Sequence, residues 1–172
     1  MMTPKVRPAR PGDLQAITNI YAHAVVHGTA SYEYEPPSLA EMKARYKALV
    51  EAGFPYLVAV YEEDSGDGRL FGYAYAGPFR TRPAYRFTVE DSIYLAPWAT
   101  GQGAGKELLG ALLEASRTAG VREVIAVIAD SGDPSSIALH KKLGFEDGGR
   151  LRQVGHKHGR DIATVLLQCS LR

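Results

Sequence analysis

At 172 residues, with 45% hydrophobic and 23% charged residues and a net charge of +1, the chain reads as a single domain over 1–172, large enough to bury about two-thirds of its unfolded surface. That balance lacks the clustered excess base of a nucleic-acid footprint, no run reaches the ~18 apolar residues of a membrane span, and the start Met-Met-Thr-Pro-Lys-Val-Arg has no signal-type apolar core. A lone cysteine, Cys169, excludes an internal disulfide and a cysteine metal cluster, so the expectation is a cytoplasmic protein with no nucleic-acid or membrane partner.

Residues 6–9 read as a short first strand. Pro11-Gly12-Asp13 introduces a helix that carries Leu14, Ile17, Ile20, Tyr21 and Ala24 on one face. His23 and His27 stand at i, i+4 on it, but without a third ligand or the glutamate of His-Glu-x-x-His they are expected to be surface or cleft residues, and no metal is assigned. Residues 28–37 are a loop by their prolines, and the aromatics in it, Tyr32 among them, follow no helical period.

Ser38-Leu39-Ala40-Glu41 is a capping box that opens a second helix, and Gly53 closes it. Residues 54–61 and 70–76 read as two strands, joined by the polar turn 62–68 into a hairpin. Residues 77–86 then place Arg80, Arg82 and Arg86 among aromatics and prolines. A guanidinium fork grips a carboxylate or similar planar oxyanion bidentately, so this loop is a candidate receptor for one.

Residues 92–95 read as the central strand, stopped by Pro97. Gly101, Gly103 and Gly105 follow at every second position and open a helix, placed from Lys106, with Leu108, Leu109, Leu112 and Leu113 on one stripe. A bare turn at a helix N-terminus presents backbone N–H groups and about half a positive charge, which suits phosphate or pyrophosphate. A Walker loop is excluded, because its first glycine would fall at Thr100 and Glu107 replaces the magnesium-binding hydroxyl. The dinucleotide fingerprint is excluded too, because its third glycine would fall at Lys106.

Residues 121–129 form a continuous apolar run, expected to be a strand buried on both faces. Asp133-Pro134 reads as N-cap and N1 of a last helix with Ile137, Leu139 and Leu143 inward and Gly144 as its C-terminal cap. Residues 145–155 and 162–171 supply the final strands. Cys169 alternates with Ala163, Val165, Leu167 and Leu171 and is expected to be a buried core thiol. His156 and His158 are expected in a turn between Gly155 and Gly159, bordering a substrate site.

The glycine turn resembles the coenzyme A loop of the GNAT N-acetyltransferase superfamily, a strand, a Pro, then Arg/Gln-x-x-Gly-x-Gly/Ala and a helix. Here it is Pro97, Thr100-Gly101-Gln102-Gly103-Ala104-Gly105 and Lys106, with Thr100 where the superfamily has Arg or Gln. A closer likeness runs through Tyr75-Ala76-Gly77-Pro78, Arg82-Pro83-Ala84-Tyr85, Thr88-Val89-Glu90-Asp91-Ser92-Ile93-Tyr94, Leu139-His140, Leu143-Gly144-Phe145 and Gly155-His156-Lys157-His158-Gly159-Arg160-Asp161. Over nearly the whole chain this order resembles the phosphinothricin and methionine sulfoximine acetyltransferase family.

The resemblance implies an α/β (mixed α+β) GNAT acyltransferase fold, with a mostly antiparallel twisted sheet of six to seven strands and about four helices on both faces. It implies acetyl-CoA as co-substrate, held by Ile93, Tyr94, Leu95, Gly101, Gln102, Gly103, Ala104, Gly105, Lys106 and Asp133. Asp133 stands where many members have a pantetheine-binding Asn. The backbone amides around Ile93 to Leu95 are expected to hold the tetrahedral oxyanion.

Acetyl transfer needs a neutral amine, yet an α-amine with a reference pKa of about 8 is mostly ammonium near pH 7. Glu90, on the central strand, is the expected general base, acting through a water. It shares a strand face with Ser92 and Tyr94, whereas Asp91, Ile93 and Leu95 take the other. His140 stands where the common pattern has a Tyr, and could donate a proton to the departing thiolate or act as a base. No residue would be acetylated, so transfer is direct.

The expected acceptor is a small L-amino acid or analogue of the phosphinothricin, methionine sulfoximine or sulfone type. Arg82 and Tyr85 would grip its acidic groups and Tyr32 would pack its side chain. A polyamine, an aminoglycoside or a peptide terminus is the alternative acceptor, and a non-catalytic acyl-CoA sensor the alternative class. Dimerisation is common in the resembled family, which implies a homodimer.

Overall fold

A computed structural model of the chain describes residues 3–61 and 69–172. The turn expected over 62–68 and the first two methionines lie outside the described residues. Seven strands, β1 (Lys5–Pro8), β2 (Tyr56–Val60), β3 (Leu70–Pro78), β4 (Thr88–Leu95), β5 (Glu123–Asp130), β6 (Glu146–Lys157) and β7 (Arg160–Ser170), form one sheet in the order β1-β2-β3-β4-β5-β7-β6. Every neighbouring pair is antiparallel except β4 and β5. Parallel neighbours need a crossover, which here is a helix.

Four helices cover the sheet: α1 (Leu14–His27), α2 (Leu39–Glu51), α3 (Ala104–Thr118) and α4 (Ser135–Lys142). Leu14, Ile17, Ile20 and Tyr21 of α1 are buried, on the face towards which Tyr94 of β4 points, since the Tyr21 and Tyr94 rings meet edge-on at 5.1 Å. Leu108, Leu109, Leu112 and Leu113 of α3 are buried as the stripe predicts. Leu95 reaches the opposite face of the sheet, where a Cβ added at Gly105 of α3 would lie 3.6 Å from its Cδ1. The Ser38 hydroxyl accepts from the Glu41 N–H at 3.1 Å, the expected cap of α2.

Three local expectations need correction. First, α3 begins at Ala104, not Lys106, because Gly103 takes the left-handed conformation (φ 85) that lets the chain turn straight into the helix. Second, β5 is buried on one face only. Val124, Ala126 and Ile128 are inside while Val127 is 40% exposed, because β4 veers away and leaves that side uncovered. Third, His156 belongs to β6, and the turn to β7 consists of His158 and Gly159, both at positive φ. Cys169 is buried, as expected.

Candidate active site

The parallel pair is short. Thr88, Val89 and Glu90 sit opposite Glu123, Val124 and Ile125, and there the pairing stops, although β4 runs on to Leu95 and β5 to Asp130. Two strands that share a sheet and then part leave unpaired backbone groups between them. The main-chain bonds from Phe79 to Thr88 and from Ala96 to Phe71 turn the even-numbered residues of β4 towards β3. By alternation the amides of Ile93 and Leu95 therefore face the gap. Tyr94 was expected to join them, but its main chain faces β3 and only its side chain borders the cleft.

The gap opens into a cleft of ≈ 660 Å³ walled by Tyr32, Glu90, Ile93, Tyr94, Val127, Asp133 and His140, among others. Glu90 stands where the strands part. Burial and the negative charge of Asp91 push its carboxyl above the ordinary range, against a smaller pull from Arg80. No described residue hydrogen-bonds that carboxylate. A half-buried carboxylate with a raised pKa and free lone pairs is suited to accept a proton.

Glu90 and His140 lie on opposite faces of β4. Glu90 shares its face with Tyr94, whereas Asp91 points the other way and meets His140 of α4, Oδ2 to Nε2 at 2.8 Å. The other ring nitrogen, Nδ1, lies 2.7 Å from the Ser136 carbonyl oxygen. The Phe145 ring meets the imidazole edge-on at 4.9 Å. Burial pulls the His140 pKa down, but the bond and charge of Asp91 and the Ser136 carbonyl outweigh it and leave the histidine above its ordinary value. Both groups border the same cleft.

Beyond Leu95, Pro97–Ala99 form a 3₁₀ turn, and Gly101 (φ 75) and Gly103 (φ 85) carry the chain into α3. A Cβ at either glycine would meet nothing within 4 Å, so this side of the turn is open. Gly105 and Lys106 belong to the first turn of α3, where N–H groups have no intrahelical acceptor. The Gln102 side chain folds back and donates to the Trp98 carbonyl at 2.9 Å. The N-cap of α4 is Pro134, one residue later than expected, so Asp133 stands just before the cap, where its carboxylate accepts from the Ser135 N–H at 3.0 Å and is held below the usual range.

Tyr32 forms part of the cleft wall. Its hydroxyl pairs with Thr164 at 3.0 Å, and its ring lies so close over Gly155 that a Cβ there would come within 2.5 Å of it. The loop that carries it is pinned by the buried Lys157, whose ammonium donates to the Ser31 carbonyl at 2.6 Å. Arg82 and Tyr85 are exposed, at the 3₁₀ turn Pro83–Tyr85, and stand outside the cleft wall. Arg80, stacked over Phe79 at 4.6 Å, is the loop arginine whose charge reaches Glu90.

His158 rests on the Gly28 carbonyl at 3.1 Å at the cleft edge. The His23 and His27 rings lie 4.6 Å apart on an exposed face, and no group of three or more His, Cys, Asp or Glu that could hold a metal occurs among the described residues. Sequence reasoning missed Arg80 as the neighbour of Glu90, and Asp91 as the partner of His140. The alternation of β4 already sent Asp91 to the face opposite Glu90, but nothing in the sequence says that α4 lies there.

Residues 15–145 match the acetyltransferase (GNAT) family. The chain is 51% identical to the phosphinothricin N-acetyltransferase of Alcaligenes faecalis over 163 residues, 95% of this chain and 80% of that one. It is 38% identical to an L-methionine sulfoximine/L-methionine sulfone acetyltransferase of Pseudomonas paraeruginosa over 170 residues, 99% and 96% of the two chains. Among solved structures, a GNAT superfamily phosphinothricin acetyltransferase of Sinorhizobium meliloti in complex with AcCoA superposes with a TM-score of 0.91 at 48% identity, covering 98% of this chain and 89% of that one.

Proposed function

Because the chain belongs to the GNAT acetyltransferase family, we propose that it transfers the acetyl group of acetyl-CoA directly to the α-amine of a small L-amino acid or analogue of the phosphinothricin, methionine sulfoximine or methionine sulfone type. The parting of β4 from β5 at Glu90 carries this reading, since it leaves the Ile93 and Leu95 amides unpaired beside a carboxylate of raised pKa. The names borne by the relatives above support the acceptor class.

The residues fit acetyl-CoA. The open left-handed glycines and the first-turn amides over 101–106 suit its pyrophosphate, and Asp133 borders the path its pantetheine arm would follow. The Ile93 and Leu95 amides polarise the thioester carbonyl and stabilise the oxyanion that forms on attack. Glu90 accepts the proton of the incoming ammonium, directly or through a water. The amine thus approaches on the Glu90 face of β4, and the sulfur leaves on the face of His140.

Arg82 and Tyr85, on the exposed turn outside the cleft wall, bind the acidic groups of the amino acid, with Arg80 nearer Glu90, and Tyr32 packs its side chain. A homodimer accompanies this reading. The edge strand β6 is solvent-facing over most of its length, with Leu151 49% and Val154 59% exposed, which suits a second copy. A single cysteine, with no second thiol in the chain for a disulfide, supports a cytoplasmic setting. The test is the product: after incubation with acetyl-CoA and methionine sulfoximine, NMR should place the new acetyl on the α-nitrogen, and acetyl on any other atom, or none, would refute it.

A further inference from the structure

Among the described ion pairs, His140 and Asp91 are the pair shut almost wholly from solvent, with side chains 2% and 1% exposed. Both ring nitrogens of His140 face acceptors, Nδ1 the Ser136 carbonyl at 2.7 Å and Nε2 the Asp91 carboxylate at 2.8 Å. A neutral imidazole has one N–H and cannot donate to both. The two contacts therefore hold one proton more than a neutral histidine beside an ionised aspartate. With that proton the pair has no net charge, which removes most of the cost of burying either ion alone.

The surroundings leave the proton on the ring. The bond and charge of Asp91 on Nε2 and the Ser136 carbonyl on Nδ1 outweigh burial and favour the protonated ring, while Oδ1 of Asp91 is buried with no hydrogen-bond partner, so His140 is the group that answers its charge. The other titratable groups nearby are Cys169 of β7, whose thiol feels the Asp91 charge, and Glu90 across β4, which feels it too. Lys141 and Lys142 of α4 point away into solvent, and Lys141 pairs with Asp147 at 3.2 Å. No cation except His140 hydrogen-bonds Asp91 among the described residues.

We propose that Asp91 is a positioning residue: its bond to Nε2 keeps both protons on His140, so that the histidine serves as the acid for the departing sulfur and not as the base for the amine. This rests on the acetyl transfer proposed above. The ammonium loses two protons, one to solvent and one to Glu90, as the nitrogen–carbon bond forms. The carbon–sulfur bond then breaks, its electron pair stays on sulfur, and the Nδ1 proton of His140 passes to it. The proton held by Glu90 returns through the cleft to restore the histidine.

The test begins with the resting protein and needs no turnover. In uniformly ¹⁵N-labelled full-length chain at pH 7.5, with His140 assigned through His140→Gln, two-bond ¹⁵N–¹H correlations should show both ring nitrogens protonated. In Asp91→Asn the ring should become neutral, with its proton on Nδ1. A neutral His140 in the unaltered protein, or a ring unchanged by Asp91→Asn, overturns the proposal.

With the amino-acid acceptor, Asp91→Asn should lower kcat roughly ten- to a hundredfold, with both KM values within about twofold, and move the alkaline limb of kcat to lower pH. Introduced into His140→Gln it should cost nothing further, because it acts only through the ring. An undiminished kcat, or a full additional loss in the double variant, contradicts the assignment. If no amine is acetylated, acetyl transfer itself is refuted and the acid role with it, while the ring protonation still reports separately on Asp91.

Discussion

Replacing Glu90 by Gln keeps the shape of the side chain and removes its ability to accept a proton. An α-amine of pKa about 8 is roughly one-tenth neutral at pH 7, and a positioned base contributes about 10²–10⁴ in rate. The variant should therefore lose at least about a hundredfold in kcat at pH 7, or about 3–5 kcal/mol of barrier. Its rate should climb about fivefold from pH 7 to pH 8 as the free amine accumulates. The unaltered enzyme should be flatter there, because its fall comes at lower pH, where Glu90 is protonated at its raised pKa.

Stability should move the other way. A carboxyl whose folded pKa is raised favours the folded state at low pH, and that contribution is lost as pH rises through the folded value. At pH 7–8 the ionised Glu90, half-buried beside Asp91, therefore costs stability. Glu90→Gln should melt at the same temperature or higher, and the difference should vanish in acid. The assay is coenzyme A thiol release at saturating acetyl-CoA, paired with thermal melts. An unchanged kcat, or a loss accompanied by a lower Tm, would refute the assignment of Glu90 as the base.

Arg82→Ala should raise the amino-acid KM roughly tenfold or more, the loss of a charge-assisted contact, and leave the acetyl-CoA KM and Tm unaltered because the residue is exposed; equal rises in both KM values would remove it from acceptor binding. Gly103→Ala forces a side chain into the left-handed region (φ 85) at about 1–2 kcal/mol, so Tm should fall and the acetyl-CoA KM should rise more than the amino-acid KM, as paired melts and kinetics would show. Ser38→Ala removes the cap of α2 and should cost about 1 kcal/mol in urea unfolding with kcat unaltered, since α2 contributes nothing to the cleft wall.

Much of this architecture is legible from local signals. The Ser38 capping box, the leucine stripe of α3, the Pro97 stop after β4 and the alternation that buries Cys169 are all decided within a few residues. The exposure of Val127 was not legible, because an apolar run reads as doubly buried and only the divergence of β4 uncovers one side. Likewise the alternation Glu90/Asp91 is visible in sequence, yet the meeting of Asp91 with His140 joins residues 49 positions apart. The spacing shows Gly103 as part of a bare turn, but that its positive φ starts the helix two residues early depends on geometry the spacing does not encode.

The acceptor class is tested most directly by thiol release from acetyl-CoA over one panel: phosphinothricin, methionine sulfoximine, methionine sulfone, the common amino acids, spermidine and an aminoglycoside. Rapid release with the first three, and weaker release with some common amino acids, is the predicted result. Release confined to the polycations, or acetyl-CoA binding with no release across the panel, would contradict acetylation of a small amino acid.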